Sequence, residues 1–185
     1  MTGNHWLDIS RPLRKGMAQW PGDPPFDSWL SASLERGDEA NVTTVTLCAH
    51  TGTHVDAPLH YLPGAAAVEA LPLDALIGPA TVASLPDLPA AERLLIRAIT
   101  PDEDALTPEQ VRTLLNKDVR LLGVDRLSAG NAEVHRLLLQ AGVVIVEGLD
   151  LSGVEPGEYD FICLPIRLDS ADGAPARAVI RRKPG

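Results

Sequence analysis

Val119-Arg120-Leu121-Leu122-Gly123-Val124, then Asn131 to Gly142, then Val143-Val144-Ile145-Val146-Glu147 follow one another in the chain, and their patterns decide the fold. The first and last are short, near-continuous apolar runs, as expected of buried strands. Between them, Asn131 has a side chain that can cap a helix start. The stripe Val134, Leu137, Leu138 and Ala141 recurs at helical spacing, and Gly142 closes it. Strand, helix, strand in this order predicts one right-handed βαβ unit. The unit ends on a carboxylate, Glu147, and carries His135 beside the helix's apolar stripe.

Working outward, Leu106-Thr107-Pro108-Glu109-Gln110 predicts a second helix start. Thr107 can cap, Pro108 suits the first helical position and Gln110 completes a capping box. Val111, Leu114 and Leu115 give that helix one apolar face, and it should end near Asn116. Ala80–Leu85 and Leu94–Ile99 read as strands, and Leu71–Leu76 as a short helical turn. Asn41–Ala49 is rich in β-branched residues and predicts a strand; Trp6–Ile9 predicts a shorter one that stops at Arg11-Pro12. Downstream, Phe161–Leu168 and Ala176–Arg181 read as strands flanking a loop, Asp169–Pro175. Strands dominate the first half, so the expected class is α/β, a mixed β-rich sheet or barrel with helices, in one domain over residues 1–185.

Composition narrows the function classes. The chain has 185 residues, 45% hydrophobic and 22% charged, which is a globular balance. Its net charge of −9 comes without a basic cluster, which argues against nucleic acid or an anionic membrane as partner. No apolar run is long enough to span a bilayer, and the first residues lack a signal-peptide pattern, so a cytoplasmic protein is the expectation. Cys48 and Cys163 each sit in an apolar run and read as buried free thiols. The acidic residues of Asp102–Asp104 read as a solvated loop rather than a general acid/base pair. There is no Gly-x-Ser-x-Gly elbow and no Walker-type loop.

The chemistry concentrates in His50-Thr51-Gly52-Thr53-His54-Val55-Asp56-Ala57-Pro58-Leu59-His60, which holds three of the five histidines. His50, His54, Asp56 and His60 are all even-numbered, so an extended backbone turns all four to one side. Gly52, Thr53, Val55 and Pro58 disfavour a helix here, so the stretch reads as a strand ending in a loop, with the imidazoles and the carboxylate converging on one point. Imidazole and carboxylate are ligand types of a borderline divalent metal such as zinc. A structural zinc site is disfavoured, because neither cysteine is placed to help close one. Taken singly, His135 reads as an ordinary helix histidine at the edge of the core and Glu147 as a solvated strand end. Trp20 opens the rigid turn Trp20-Pro21-Gly22-Asp23-Pro24-Pro25; it is either a packing anchor or a pocket wall, and packing comes first on chemistry alone.

The stretch His50–His60 resembles the signature of the metal-dependent cyclase family, and within it the branch that hydrolyses N-formyl-L-kynurenine. The resemblance also takes in Trp20-Pro21-Gly22-Asp23, Asn41, Gly123-Val124-Asp125, Glu147-Gly148-Leu149 and Asp172-Gly173-Ala174-Pro175-Ala176-Arg177-Ala178-Val179. It implies a swivelling β/β/α domain, a small-molecule substrate, assembly as homodimers or homotetramers, and two zinc ions per subunit, with manganese as an alternative. By matching position, His50, His54 and Asp56 would bind one metal, Asp56 and His135 the second, and Glu147 would bridge both. His60 would be the acid/base and Trp20 would line the substrate pocket, which reverses the single-residue readings above. The segment between Val124 and His135 is several residues shorter than is usual in the family, with Arg126-Leu127-Ser128-Ala129-Gly130 in place of a proline- and serine-containing loop, and the stretch before Leu106 is trimmed. These segments shape the pocket, so they bear on substrate rather than on metal. Hydrolysis of N-formyl-L-kynurenine to L-kynurenine and formate is the leading expectation. The alternatives are a related amide or lactam hydrolase, such as one acting on isatin, and a metal-holding binding protein without turnover.

Overall fold

Leu121–Val124 and Val144–Glu147 lie side by side and parallel, with the helix Ala132–Gln140 crossing between them, as the apolar runs predict. The computed structural model describes residues 5–98 and 106–183. The expected solvated loop at Asp102–Asp104 and the end of the expected strand at Ile99 fall outside the described residues. In chain order the strands are β1 (Leu7–Asp8), β2 (Asp27–Ala32), β3 (Val42–Thr46), β4 (His54–Asp56), β5 (Ile77–Ser84), β6 (Arg93–Arg97), β7 (Leu121–Val124), β8 (Val144–Glu147), β9 (Gly157–Pro165) and β10 (Gly173–Arg182). The helices are α1 (Leu73–Leu76), α2 (Pro108–Leu115) and α3 (Ala132–Gln140).

Seven strands close on themselves in the order β10-β4-β8-β7-β6-β5-β9 and back to β10, with β1 added to the side of β10. β10 is long enough to make the closure. Gly173–Pro175 pair with β4, and Ala176–Arg182 pair with β9. Strands β5, β6, β7 and β8 run parallel to one another and the other pairings are antiparallel, so the barrel is mixed as expected. Alternation explains why the runs are nearly all apolar. Leu95, Leu121, Val144 and Val146 join one core with Phe161, Cys163 and Ile180 from β9 and β10. Leu94, Ile96, Leu122 and Ile145 face the other way, onto Val111 and Leu114 of α2 and Val134 and Leu138 of α3.

The helix ends follow the sequence closely. Thr107 and Gln110 form the reciprocal capping box, and Asn131 accepts from the Glu133 and Val134 N–H groups. Two expectations change. Asn41–Ala49 does not run as a strand into the histidine stretch: β3 ends at Thr46 and pairs with β2 in a separate hairpin, and β2 had no sequence signal beyond Trp29 and Leu30. Nor is His50–His60 one extended segment. Only His54–Asp56 is strand, His50 lies in a turn, and Pro58–His60 forms a single 3-10 turn. Cys163 is buried as expected, and burial pushes its thiol up to about 12, whereas Cys48 is only partly buried; both are free. No helix among the described residues is long and apolar enough to cross a membrane.

Candidate metal centre

Register brings the first three polar groups together. β4 lies between β8 and β10, with His54 directly opposite Glu147 and Asp56 opposite Gly173. Val55 points into the barrel core, so His54 and Asp56 point away from it, on the side that α3 covers. Glu147 follows the inward-facing Val146 and joins them there. α3 then lays His135 over the group. His54, Asp56, His135 and Glu147 are all buried.

His135 Nε2 is 2.9 Å from Glu147 Oε1 and 3.6 Å from Asp56 Oδ2. His54 Nε2 is 3.4 Å from Asp56 Oδ1 and 3.5 Å from Glu147 Oε2. His50 Nδ1 is 2.9 Å from Asp56 Oδ1. His54 Nδ1 donates to the Gly52 carbonyl and His135 Nδ1 to the Asn131 carbonyl, each at 3.0 Å. Backbone carbonyls thus hold both rings by the outer nitrogen and leave Nε2 turned inward, which is how metal-ligating histidines are oriented. Glu147 is braced as well, its Oε1 accepting from the Ala129 N–H at 2.6 Å.

The turns behind the site pack backbone to backbone. Gly148 has φ +67, and a side chain there would drive its Cβ into the Gly52 carbonyl. Thr53 Oγ1 donates to the Gly148 carbonyl at 2.6 Å and accepts from the Arg11 N–H at 2.9 Å, tying the β4 entry to the β8 exit.

The electrostatics suit a cation. Burial opposes ionisation of Asp56, yet hydrogen bonds from His50 and His54 outweigh it and hold the carboxyl well below its usual range. Glu147 is lowered in the same way by His135 and His54. Burial opposes charging His54, yet its bonds to Asp56 and Glu147 push it up to about 10. His50 and His135 are also raised against burial, by Asp56 and Glu147 respectively. Asp56 Oδ2 is buried and has no hydrogen-bond partner, a costly condition for a carboxylate oxygen unless something positive meets it. His54, Asp56 and Glu147 offer ligand atoms all within 4.8 Å of one another, as do His50, Asp56 and His60. Three imidazoles and two carboxylates around an orphaned oxygen fit a divalent metal. A metal needs neutral imidazole, so loading is expected to expel protons, and affinity should fall as pH falls below the raised His54 value. Titration calorimetry in two buffers of different ionisation enthalpy checks this: equal heats would mean that no proton is displaced.

Above the cluster lies a cavity of about 360 Å³, lined by His50, His54, His60, Tyr61, His135, Glu147 and Trp20 among others. Trp20 is 55% exposed, which overturns the packing preference drawn from its chemistry; its rigid turn holds it at the cavity wall instead. Tyr61 carries no functional signal in the sequence, where it only opens the turn Tyr61-Leu62-Pro63-Gly64. Its ring stacks on His135 with centroids 4.6 Å apart and meets His60 edge-on at 4.6 Å. Burial, then the Asp56 and Glu147 charges, raise the Tyr61 hydroxyl. Asp172 was read only as part of a motif, and nothing in its spacing marks it. It reaches the site because β10 begins beside Asp56, which sets its carboxylate 3.0 Å from His50 Nε2 and 3.1 Å from His60 Nδ1.

With the geometry established, similarity to known proteins is informative. Residues 7–113 match the sequence profile of the family described as putative cyclase. The chain is 35% identical to the kynurenine formamidase of Bacillus cytotoxicus, the alignment covering 98% of this chain and 99% of that one. It is 36% identical to the kynurenine formamidase of Salinibacter ruber, over 96% and 98% of the two chains. Both alignments run over 207 positions against 185 residues here, so the relatives carry segments that this chain lacks. Among solved structures, a potential metal-dependent hydrolase with cyclase activity superposes with a TM-score of 0.81 at 28% identity, covering 97% of this chain and 99% of that one.

Proposed function

The chain belongs to the cyclase family, and from that premise we propose that it is a metal-dependent amidohydrolase that cleaves N-formyl-L-kynurenine to L-kynurenine and formate. One observation carries the reading. Five ligand-type side chains converge beneath a cavity walled by Trp20 and Tyr61, in a chain that aligns end to end with relatives named kynurenine formamidase.

In this reading His50, His54, Asp56, His135 and Glu147 would together hold two cations. Zinc suits the nitrogen and carboxylate donors, with manganese as the alternative. Such a cation supplies Lewis acidity, polarising a carbonyl and lowering the pKa of water to about 7.

The remaining work falls to the chain. Trp20 and Tyr61 offer aromatic faces to the aryl ring, in a cavity within the range of about 300–1,000 Å³ typical of small-molecule sites. His60 lines the same cavity and is less buried than the ligand set. It takes a proton from the attacking water as the oxygen bonds to the formyl carbon. It then gives that proton to the nitrogen as the C–N bond breaks, so that the arylamine leaves neutral and the other product leaves as formic acid, which ionises to formate by releasing its proton to solvent. Imidazole suits both transfers near neutral pH.

Release of L-kynurenine from N-formyl-L-kynurenine by zinc-loaded protein tests the reading, with His54→Ala as control. Turnover by the parent alone supports it, and no turnover by a parent shown to carry metal sinks it.

The β2–β3 hairpin supports association of two copies. A two-stranded hairpin is marginal by itself, and this one exposes Trp29, Leu30, Val42 and Val45. Light scattering should give at least twice the 19.7 kDa of one chain; a monomer would remove this part of the proposal.

A further inference from the structure

Asp172 stands one residue before β10, and its backbone is fixed at both sides. Its carbonyl accepts from the Ala57 N–H at 2.9 Å, and the next residue, Gly173, pairs with Asp56. From that position a single oxygen, Oδ2, meets two rings, His50 Nε2 at 3.0 Å and His60 Nδ1 at 3.1 Å. The two ring centroids are 4.1 Å apart. The approach depends on Gly173, since a Cβ there would lie 2.8 Å from His50 Cε1 and 2.8 Å from the Val55 carbonyl oxygen.

An ionised carboxylate only accepts hydrogen bonds, so both facing nitrogens must donate to it. A proton on His60 Nδ1 leaves Nε2 as the basic nitrogen, the tautomer that a proton acceptor needs. His50 donates through Nε2 to Asp172 and faces Asp56 Oδ1 with Nδ1 at 2.9 Å; when a metal displaces the Nδ1 proton, the bond to Asp172 keeps Nε2 as the protonated nitrogen and Nδ1 as the ligand atom. The Asp172 side chain is 44% exposed, so these contacts add little to stability. Their consequence is orientation.

We propose that Asp172 is a positioning residue whose single carboxylate oxygen sets both the tautomer of the acid/base His60 and the ring of the candidate ligand His50, keeping the proton carrier in register with the metal cluster. This rests on His60 being the acid/base. Asp172 is not among the residues lining the cavity and acts through the two rings.

Asp172→Asn tests it. The change is isosteric and keeps the backbone bonds, but it removes the carboxylate that obliges both nitrogens to donate. In zinc-loaded protein, kcat should fall about a hundredfold with KM within about twofold and metal content unchanged. Asp172→Glu should recover part of the loss. Nitrogen-15 NMR of labelled histidines gives a readout independent of turnover. His60, assigned by comparison with His60→Ala, should be the Nδ1–H tautomer in the parent and lose that preference in Asp172→Asn. An unchanged kcat, or an unchanged His60 tautomer, would overturn the proposal. Loss of zinc together with activity would overturn its His60 half, by confining Asp172 to support of His50. If the parent fails to hydrolyse N-formyl-L-kynurenine, the formamidase reading falls and the tautomer measurement alone decides the role of Asp172.

Discussion

Asp56→Asn protein is expected to leave dialysis with less than stoichiometric metal and to turn substrate over at least a hundred times more slowly than the parent. The figure is a floor, because losing even an outer partner of a metal ligand costs about 10–100-fold in affinity or activity. Asp56 lies deeper than that. It is fully buried, His50 Nδ1 and His54 Nε2 approach its Oδ1, and His135 Nε2 approaches its Oδ2. Among the described residues no other carboxylate approaches all three rings; Glu147 meets only His54 and His135. The substitution keeps the shape and removes the charge, so metal-free protein is left with raised imidazoles short of their counter-charge. Breaking a buried pair on one side costs about 3–5 kcal/mol. For a chain of this size that is a melting temperature lower by roughly 10 °C. Metal analysis after dialysis and a thermal melt of the metal-free protein check both halves. Retained metal with an unchanged melt would show that Asp56 is not the centre of the cluster.

The second large effect is expected at His60 and is of a different kind. His60→Ala should lower kcat by about 10²–10⁴-fold, the usual contribution of a positioned acid/base, while metal content stays at the parent's level. The separation follows from position. His60 sits on the 3-10 turn after β4, its side chain is 28% exposed, and its Nδ1 is turned to Asp172 rather than to the buried carboxylates. It shares a possible ligand group with His50 and Asp56, so metal analysis of the variant is the deciding measurement. Lost metal would move His60 among the ligands. Full metal with unchanged turnover would remove it from the reaction.

How much of this was legible in the sequence depended on the range of the signal. Capping at Thr107 and Asn131 was legible because a cap is made between residues two or three apart. The buried strands β7 and β8 were legible because burial on both faces leaves an unbroken apolar run. β2 was not, because it pairs only with β3 and half of its residues face solvent, so no core imposed a pattern on it. The convergence of His50, His54, Asp56 and His60 was anticipated, but for an incomplete reason. Alternation accounts for His54 and Asp56, whereas a turn and a 3-10 turn deliver the other two.

By itself, then, the sequence determined which ligand-type side chains are available, the helices with their caps, the apolar strands of the βαβ unit and the family resemblance. All of these are written in residues close together in the chain, where hydrogen bonds and side-chain periodicity act directly. Barrel closure, the placing of Glu147 opposite His54, the turning of Trp20 to the cavity and the arrival of Asp172 between His50 and His60 were decided only in the tertiary structure. Each joins segments tens to more than a hundred residues apart, and the register that joins them is selected by burial of whole strand faces. A shift of one residue would turn every side chain of a strand to the opposite face.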